Sequence, residues 1–221
     1  ADSGVAARRY QKKYRNQLWH SDIKYGPYLP IGKEGKKKQV YLVTFVDDAT
    51  RFILHGEFYP VLDQIIVEDC FKKAILKNGV PERVYFDNGG QYRNKWMNRA
   101  CAKMGIRLLY AKPYSPEATG KVERFNRVVD SFLAEAGLEN PQTLERLNQL
   151  LAVWLEECYQ HKPHTGIEGQ LSPAVAYRSD RKTLKYIDPE ILASAFLHCE
   201  ERKVAKSGCL SFAGNKYEVD R

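Results

Sequence analysis

Asp87 stands where a short β-rich run, Arg83-Val84-Tyr85-Phe86, stops and Asn88-Gly89-Gly90 begins. The carboxyl end of a strand is where open α/β sheets hold their ligands. The same residues also suit an Asx-type turn, with Asp87 or Asn88 bonding its own backbone and the glycines supplying positive φ. Asp22 lies inside another strand-like run, "WHSDIKYG". A charge in the middle of an apolar strand is unfavourable unless it is satisfied. The first strand of a meander normally pairs near the sheet centre, beside the place where a fourth strand would add. Asp22 and Asp87 are therefore expected on neighbouring strands. Adjacent carboxylates repel unless a proton or cation lies between them, and hard oxygen ligands of this kind suit Mg²⁺ or Mn²⁺. Glu123, in "GKVERFN", is a third carboxylate at the edge of a buried helical stripe, with 35 residues between it and Asp87. Taken alone, Glu123 suits an i,i+4 pair with Arg127 on a wet helix face better.

The elements that must position these residues follow from hydrophobic period. "LWHSDIKYGPYLPI" (18–31) is a strand that ends early or lies at an edge, given Pro27 and Pro30. "GKEGKKK" (32–38) is a charged hairpin turn, and "QVYLVTFV" (39–46) is a strand apolar on both faces. "DDATR" (47–51) is a turn with Arg51 as the local partner of Asp47 and Asp48, and "FILHGEFY" (52–59) completes an antiparallel meander. The period then changes to that of an amphipathic helix over 61–77, stopped by Asn78-Gly79. Strand 83–86, helix 94–104 and strand 106–111 complete a β-β-β-α-β-α-β order, whose strand-helix-strand units imply parallel neighbours. Past a turn-rich loop (112–120) come a helix with Val122, Phe125, Val129, Phe132, Leu133 and Ala136 on one face, a second helix starting near Pro141, and a short helix at Pro173. Trp96 and Trp154 fit core roles at helical spacing, and "YIDPEILASAFLH" is a further helical stretch. From residue 198 the chain is basic and strand-rich, with two short strands around Lys206-Ser207-Gly208 and a second turn at Ala213-Gly214-Asn215.

The 221 residues suffice for one large domain with an appendage. A net charge of +8 favours polyanionic partners, with DNA or RNA before anionic membrane. No run has the length of a membrane span and no signal peptide opens the chain. Five cysteines without a C-x-x-C spacing argue for reduced thiols in the cytosol. His198-Cys199 and Cys209 match no common zinc spacing. The basic opening segment, 1–17, reads as an arm or a linker end, either solvated or in contact with phosphate.

Taken together, Asp22, Asp87 and Glu123 with their 35-residue gap resemble the catalytic core of retroviral integrases and of the DDE transposases of bacterial insertion sequences. "VDDATRFI", "FDNGGQY" and "YSPEATGKVERFNR" resemble local blocks of that family, and "SPAVAY" resembles the end of its core. The resemblance covers roughly residues 18–178. It implies an α/β, ribonuclease H-like fold: a mixed five-stranded sheet, three strands antiparallel and two parallel, flanked by helices, with a short β-rich C-terminal extension. It divides the chain into a basic arm or linker (1–17), the catalytic core (18–178), a helical connector (179–197) and part of a small β-barrel (198–221) like that of Mu-like transposases.

The resemblance also implies a reaction. Asp22, Asp87 and Glu123 would hold two divalent ions, Mg²⁺ or Mn²⁺, about 4 Å apart. The site would cleave DNA ends and transfer strands by transesterification. Lys112, Lys121, Arg124 and Asn126 are candidate DNA contacts, with ordinary surface roles as the alternative for the lysines. His20 is either near the site or simply packed. The partners would be double-stranded DNA, as element ends and target, and further copies of the chain; the setting would be the bacterial cytoplasm and nucleoid. Two other functions compete: a ribonuclease H-like nuclease that only hydrolyses, and a non-catalytic DNA-binding module that has lost its chemistry.

Overall fold

The computed structural model describes residues 11–111, 120–199, 209–212 and 215–218. Five strands form one sheet: β1 (Trp19–Leu29), β2 (Lys38–Asp47), β3 (Ile53–Tyr59), β4 (Arg83–Phe86) and β5 (Arg107–Tyr110), in the order β3-β2-β1-β4-β5. β1–β2 and β2–β3 are antiparallel, while β1–β4 and β4–β5 are parallel. β1 is thus central, as the meander argument requires.

Helices cover both faces. On one face, α1 (Gln64–Asn78) and α2 (Lys95–Met104) close a core containing Trp19, Phe45, Phe71, Val84 and Phe86. Their ends follow from local chemistry. The side chain of Asp63 caps the amide of Ile66, Asn94 caps Trp96 and Met97, and glycines with positive φ, Gly79 (φ 81°) and Gly105 (φ 70°), stop the two helices. On the other face, α3 (Gly120–Glu139) and α4 (Leu144–Trp154), the latter running on as a π-helical turn (Leu155–Gln160), close a second core around Phe58, Phe125, Val129, Phe132 and Leu151. Gln160 clamps β3 there, accepting from the amide of Ile53 and donating to its carbonyl.

Two short helices follow, α5 (Pro173–Ser179) and α6 (Pro189–Ala195). Within the expected connector, 179–197, α5 ends at Ser179 and 189–195 forms one further helix, which belongs to the core. Leu192 and Ala195 are buried, and Phe196 meets Phe71 edge-on at 5.9 Å. Trp96 takes no core role at its helical position. Its ring stacks on His198 at 4.6 Å, and His198 Nε2 lies 2.8 Å from Glu68 Oε2. Trp154 is a core residue. Residues 11–17 are not a loose arm: Arg15 donates to the carbonyls of Tyr177 and Lys182, and the Arg15 amide donates to Asp180. A separate antiparallel pair, β6 (Cys209–Phe212) and β7 (Asn215–Glu218), lies at the C-terminal end. The strand expected before Lys206 lies outside the described residues.

Candidate active site

The parallel β1–β4 ladder pairs Trp19 with Val84 and His20 with Tyr85. Asp87 follows the last residue of β4, and the same register extended two residues past the last ladder pair brings it level with Asp22. Alternation fixes the face. Val84 and Phe86 enter the α1/α2 core, so Tyr85 and Asp87 turn to the α3 side, where the His20 ring meets the Tyr85 ring at 5.4 Å. On β1, Asp22 reaches α3, where its Oδ2 accepts a 2.5 Å bond from Asn126 Nδ2. Lys24, two residues on, pairs with Asp130 of the same helix at 2.9 Å. The sequence therefore puts two carboxylates side by side because one stops β4 and the other sits at the matching level of the longer β1.

The electrostatics agree with that geometry. Burial raises the pKa of Asp22, the Asn126 bond and its own backbone contacts lower it, and the Asp87 charge raises it again. Asp87 is exposed and accepts a 2.7 Å bond from the Asn88 amide, so the Asx-type turn is present as well. Asn88 in turn donates to the carbonyl of Ala111 after β5, tying the strand ends together. Gly89 and Gly90 are not among the residues with positive φ. A Cβ at Gly90 would meet nothing within 4 Å, whereas one at Gly89 would lie 2.7 Å from Gln91 Oε1. Gly90 thus adds no side chain beside Asp87, while the Gln91 side chain lies against Gly89.

Glu123 is the fourth residue of α3, one turn before Asn126, on the helix that touches Asp22. Its side chain and that of Lys121 lie outside the described part, as does Lys112 altogether. Asn126 is at the site. Arg124 is exposed and sits beside the His164–Gly166 turn, where its Nη1 would be 3.6 Å from a Cβ on Gly166. Burial, and then the Arg51 and Arg124 charges, lower the pKa of His164. Among the described residues no group of three His, Cys, Asp or Glu side chains surrounds a cation-sized space. Two hard carboxylates whose charges oppose each other still fit a divalent ion, and Asp22 is the one destabilised without it.

Asp47 and Asp48, expected as a plain turn, form a buried polar hub. Both are buried. Asp47 accepts from the amides of Asn16 and Thr50 and from Thr50 Oγ1, and burial lifts its pKa to about 6 despite those bonds. Asp48 binds His20 Nε2 at 2.8 Å, and Arg51 donates to the Asp48 carbonyl, as expected of its local partner. His20 is packed, at 3% exposure. The signal that was available is Thr50 three residues after Asp47, the spacing of a side-chain-capped turn.

Two models of an integrase core domain match the chain, over residues 13–116 and 104–173. The transposase of transposon Tn552 from Staphylococcus aureus is 24% identical over 189 residues, covering 72% of this chain and 39% of its own length. A putative transposase of insertion sequence element IS5376 from Geobacillus stearothermophilus is 28% identical over 198 residues, covering 83% and 46%. The Gag-Pro-Pol polyprotein of bovine leukemia virus is 29% identical over 126 residues, covering 57% and 8%. This chain thus spans less than half the length of these curated relatives. Among solved structures, a chain of the simian T-cell lymphotropic virus intasome in complex with PP2A regulatory subunit B56 gamma superposes with a TM-score of 0.64 at 22% identity, covering 81% of this chain and 60% of that one. The HTLV-2 integrase catalytic core domain, in complex with magnesium, gives 0.57 at 19% identity, covering 77% and 99%. The fold is the ribonuclease H-like fold of retroviral integrase cores. The chain carries an integrase core domain, which the two models together match over residues 13–173.

Proposed function

We propose that this chain is the catalytic core of a DNA transposase, cleaving element ends and joining them to target DNA at a site made by Asp22, Asp87 and Glu123. The observation that carries the reading is that the charge of Asp87, just past the end of β4, acts on Asp22 of the parallel neighbour β1, with α3 bonded to Asp22 one turn after Glu123. A binding module has no use for a half-buried carboxylate beside a second one, since burial and charge repulsion cost stability that the Asn126 bond, the Ile23 amide and the Lys24 charge offset only in part.

Two divalent ions held by these three carboxylates would stabilise charge on the phosphate oxygens and lower the pKa of the attacking hydroxyl. The residues of the chain do the rest. Asn126 holds Asp22 in one rotamer and favours its ionised form. The Asn88–Ala111 bond fixes the strand end that carries Asp87. Gly89 and Gly90 let a DNA backbone come close to it. Water and a DNA 3′-hydroxyl can be presented to one and the same site, so joining requires no second constellation. That favours a transferase over a nuclease that only hydrolyses, given the transposase relatives. Double-stranded DNA and a further copy of the chain are the proposed partners, two ends and a target needing at least two active sites.

The test is a strand-transfer assay with a pre-nicked DNA end and Mg²⁺ or Mn²⁺. Joined product that disappears in Asp87→Asn, with DNA affinity retained, supports the proposal. Cleavage that survives in Asp87→Asn overturns it, and hydrolysis without joining moves the chain to the nuclease class.

A further inference from the structure

β1 does not stop at the carboxylates. It pairs with β4 only at Trp19 and His20 and then runs on with β2 alone to Leu29. Seven residues past Asp22 at ~3.3 Å each carry the strand roughly 23 Å beyond it. The turn there is a 3₁₀ segment, Lys33–Gly35, and residues 33–38 are all exposed. Those six positions hold Lys33, Lys36, Lys37 and Lys38 against one acid, Glu34. None of the four lysines forms an ion pair among the described residues. Two tyrosines lower on the hairpin are also uncovered, Tyr25 at 62% and Tyr28 at 61%.

The hairpin is firmly rooted. Gln39 Nε2 donates to the carbonyl of Gly26 at 3.3 Å across the bulge, and a Cβ at Gly26 would fall 2.8 Å from Phe58 Cε1, so the base lies flat on the second core. Lysines on an edge strand also serve to block pairing with another sheet. That role does not account for two uncovered aromatic rings, which are a liability on a protected edge. Exposed tyrosines on the flank of a hairpin whose tip carries lysines without ion pairs among the described residues are the composition of a phosphate-backbone contact, on a chain whose net charge is +8.

We propose that the β1–β2 hairpin is a second contact with duplex DNA, gripping phosphates some distance from the reacting phosphodiester. This rests on the catalytic reading of Asp22 and Asp87 for the place where reaction occurs. At ~3.4 Å per base pair, the hairpin tip reaches about seven base pairs from that point. The contact is with phosphate and sugar, so it is indifferent to sequence.

The experiment is fluorescence anisotropy of a nicked duplex as a function of salt, with the variant Lys33→Gln/Lys36→Gln/Lys37→Gln/Lys38→Gln and, in the opposite direction, Glu34→Lys. Each phosphate contact contributes about 0.9 to the slope of log K against log salt. The fourfold variant is expected to bind more weakly and to lose about 2–4 from the slope. Glu34→Lys, which misfolding cannot mimic, is expected to bind more tightly than the parent. Trimming the flanks to about four base pairs should erase the difference between parent and fourfold variant. An unchanged slope in the fourfold variant, or no gain in Glu34→Lys, overturns the inference. If the parent shows no metal-dependent cleavage while the fourfold variant still loses affinity, the hairpin stands as a DNA contact and the catalytic reading falls.

Discussion

Asn126 Nδ2 donates to Asp22 Oδ2 across 2.5 Å, joining α3 to β1 between residues 104 apart in the chain. The bond is made to the ionised carboxylate, so it opposes the burial that raises the Asp22 pKa. It also sets how close the first turns of α3, and Glu123 with them, lie to the β1–β4 strand ends.

Asn126→Ala is therefore expected to act through Asp22. The Asp22 pKa rises further, and the acidic limb of the pH–rate profile moves to higher pH. Loss of a residue that orients a metal ligand typically costs 10–100-fold, and the deficit should be larger at pH 6 than at pH 8. A uniform loss across pH would mean that Asn126 acts by some other route.

Metal linkage gives a second test that needs no DNA. The folded-state pKa of Asp22 is raised above its unfolded value, chiefly by burial, with Asp87 adding to it. The folded state thus binds the proton more tightly, and the stability gained from that is lost as pH rises through the folded value. At neutral pH without metal, Asp22→Asn should melt no lower than the parent. Added Mg²⁺ should raise the parent's melting temperature, by about 2.7 kcal/mol of stability at a hundredfold excess over Kd. Asp22→Asn should show little of that rise in a thermal-shift titration; an equal rise in both would place the ion elsewhere.

Asp47 is an acid whose pKa burial raises from 3.8 to about 6. Between those values the folded state holds more protons than the unfolded one, so this group's contribution falls as pH rises from 4 to 6. Asp47→Asn cannot accept from both Asn16 and Thr50 as the carboxylate does, a loss of about 1–3 kcal/mol. The stability gap between parent and variant in urea should be wider at pH 5 than at pH 7. A gap that widens with pH would contradict the assignment.

Phe71 is wholly buried and touches Trp19, Phe45, Phe86 and Phe196. Phe71→Ala should cost about 3–5 kcal/mol. Phe196→Ala should cost less but release α6, seen as faster amide exchange over 189–196 with β1 and β4 still protected. Unchanged exchange there would show that α6 docks without its aromatic anchor.

Much of the sheet was legible because each strand carried its own signal. "QVYLVTFV" is apolar on both faces because β2 is covered on both. The bounds of Arg83–Phe86 matched since turn residues follow at once. Asp22 beside Asp87 followed from a meander that leaves β1 central. What escaped depends on distant partners. The Asp47–Asp48 turn is a buried hub only because Asn16 and His20 reach it from 31 and 28 residues away. Trp96 has the spacing of a core residue, but what covers it is His198, beyond α6. The π-helical turn after Trp154 is held by Gln160 on β3, a contact of sequence separation 107 that no local pattern encodes.

The most direct test of the central claim is anomalous diffraction from crystals of the protein with a short nicked duplex, soaked in Mn²⁺. The account expects density within about 2.0–2.4 Å of carboxylate oxygens of both Asp22 and Asp87, with Glu123 completing the site and the scissile phosphate beside it. Manganese bound elsewhere, or the phosphate held at Asp22 and Asp87 with no ion between, would contradict it.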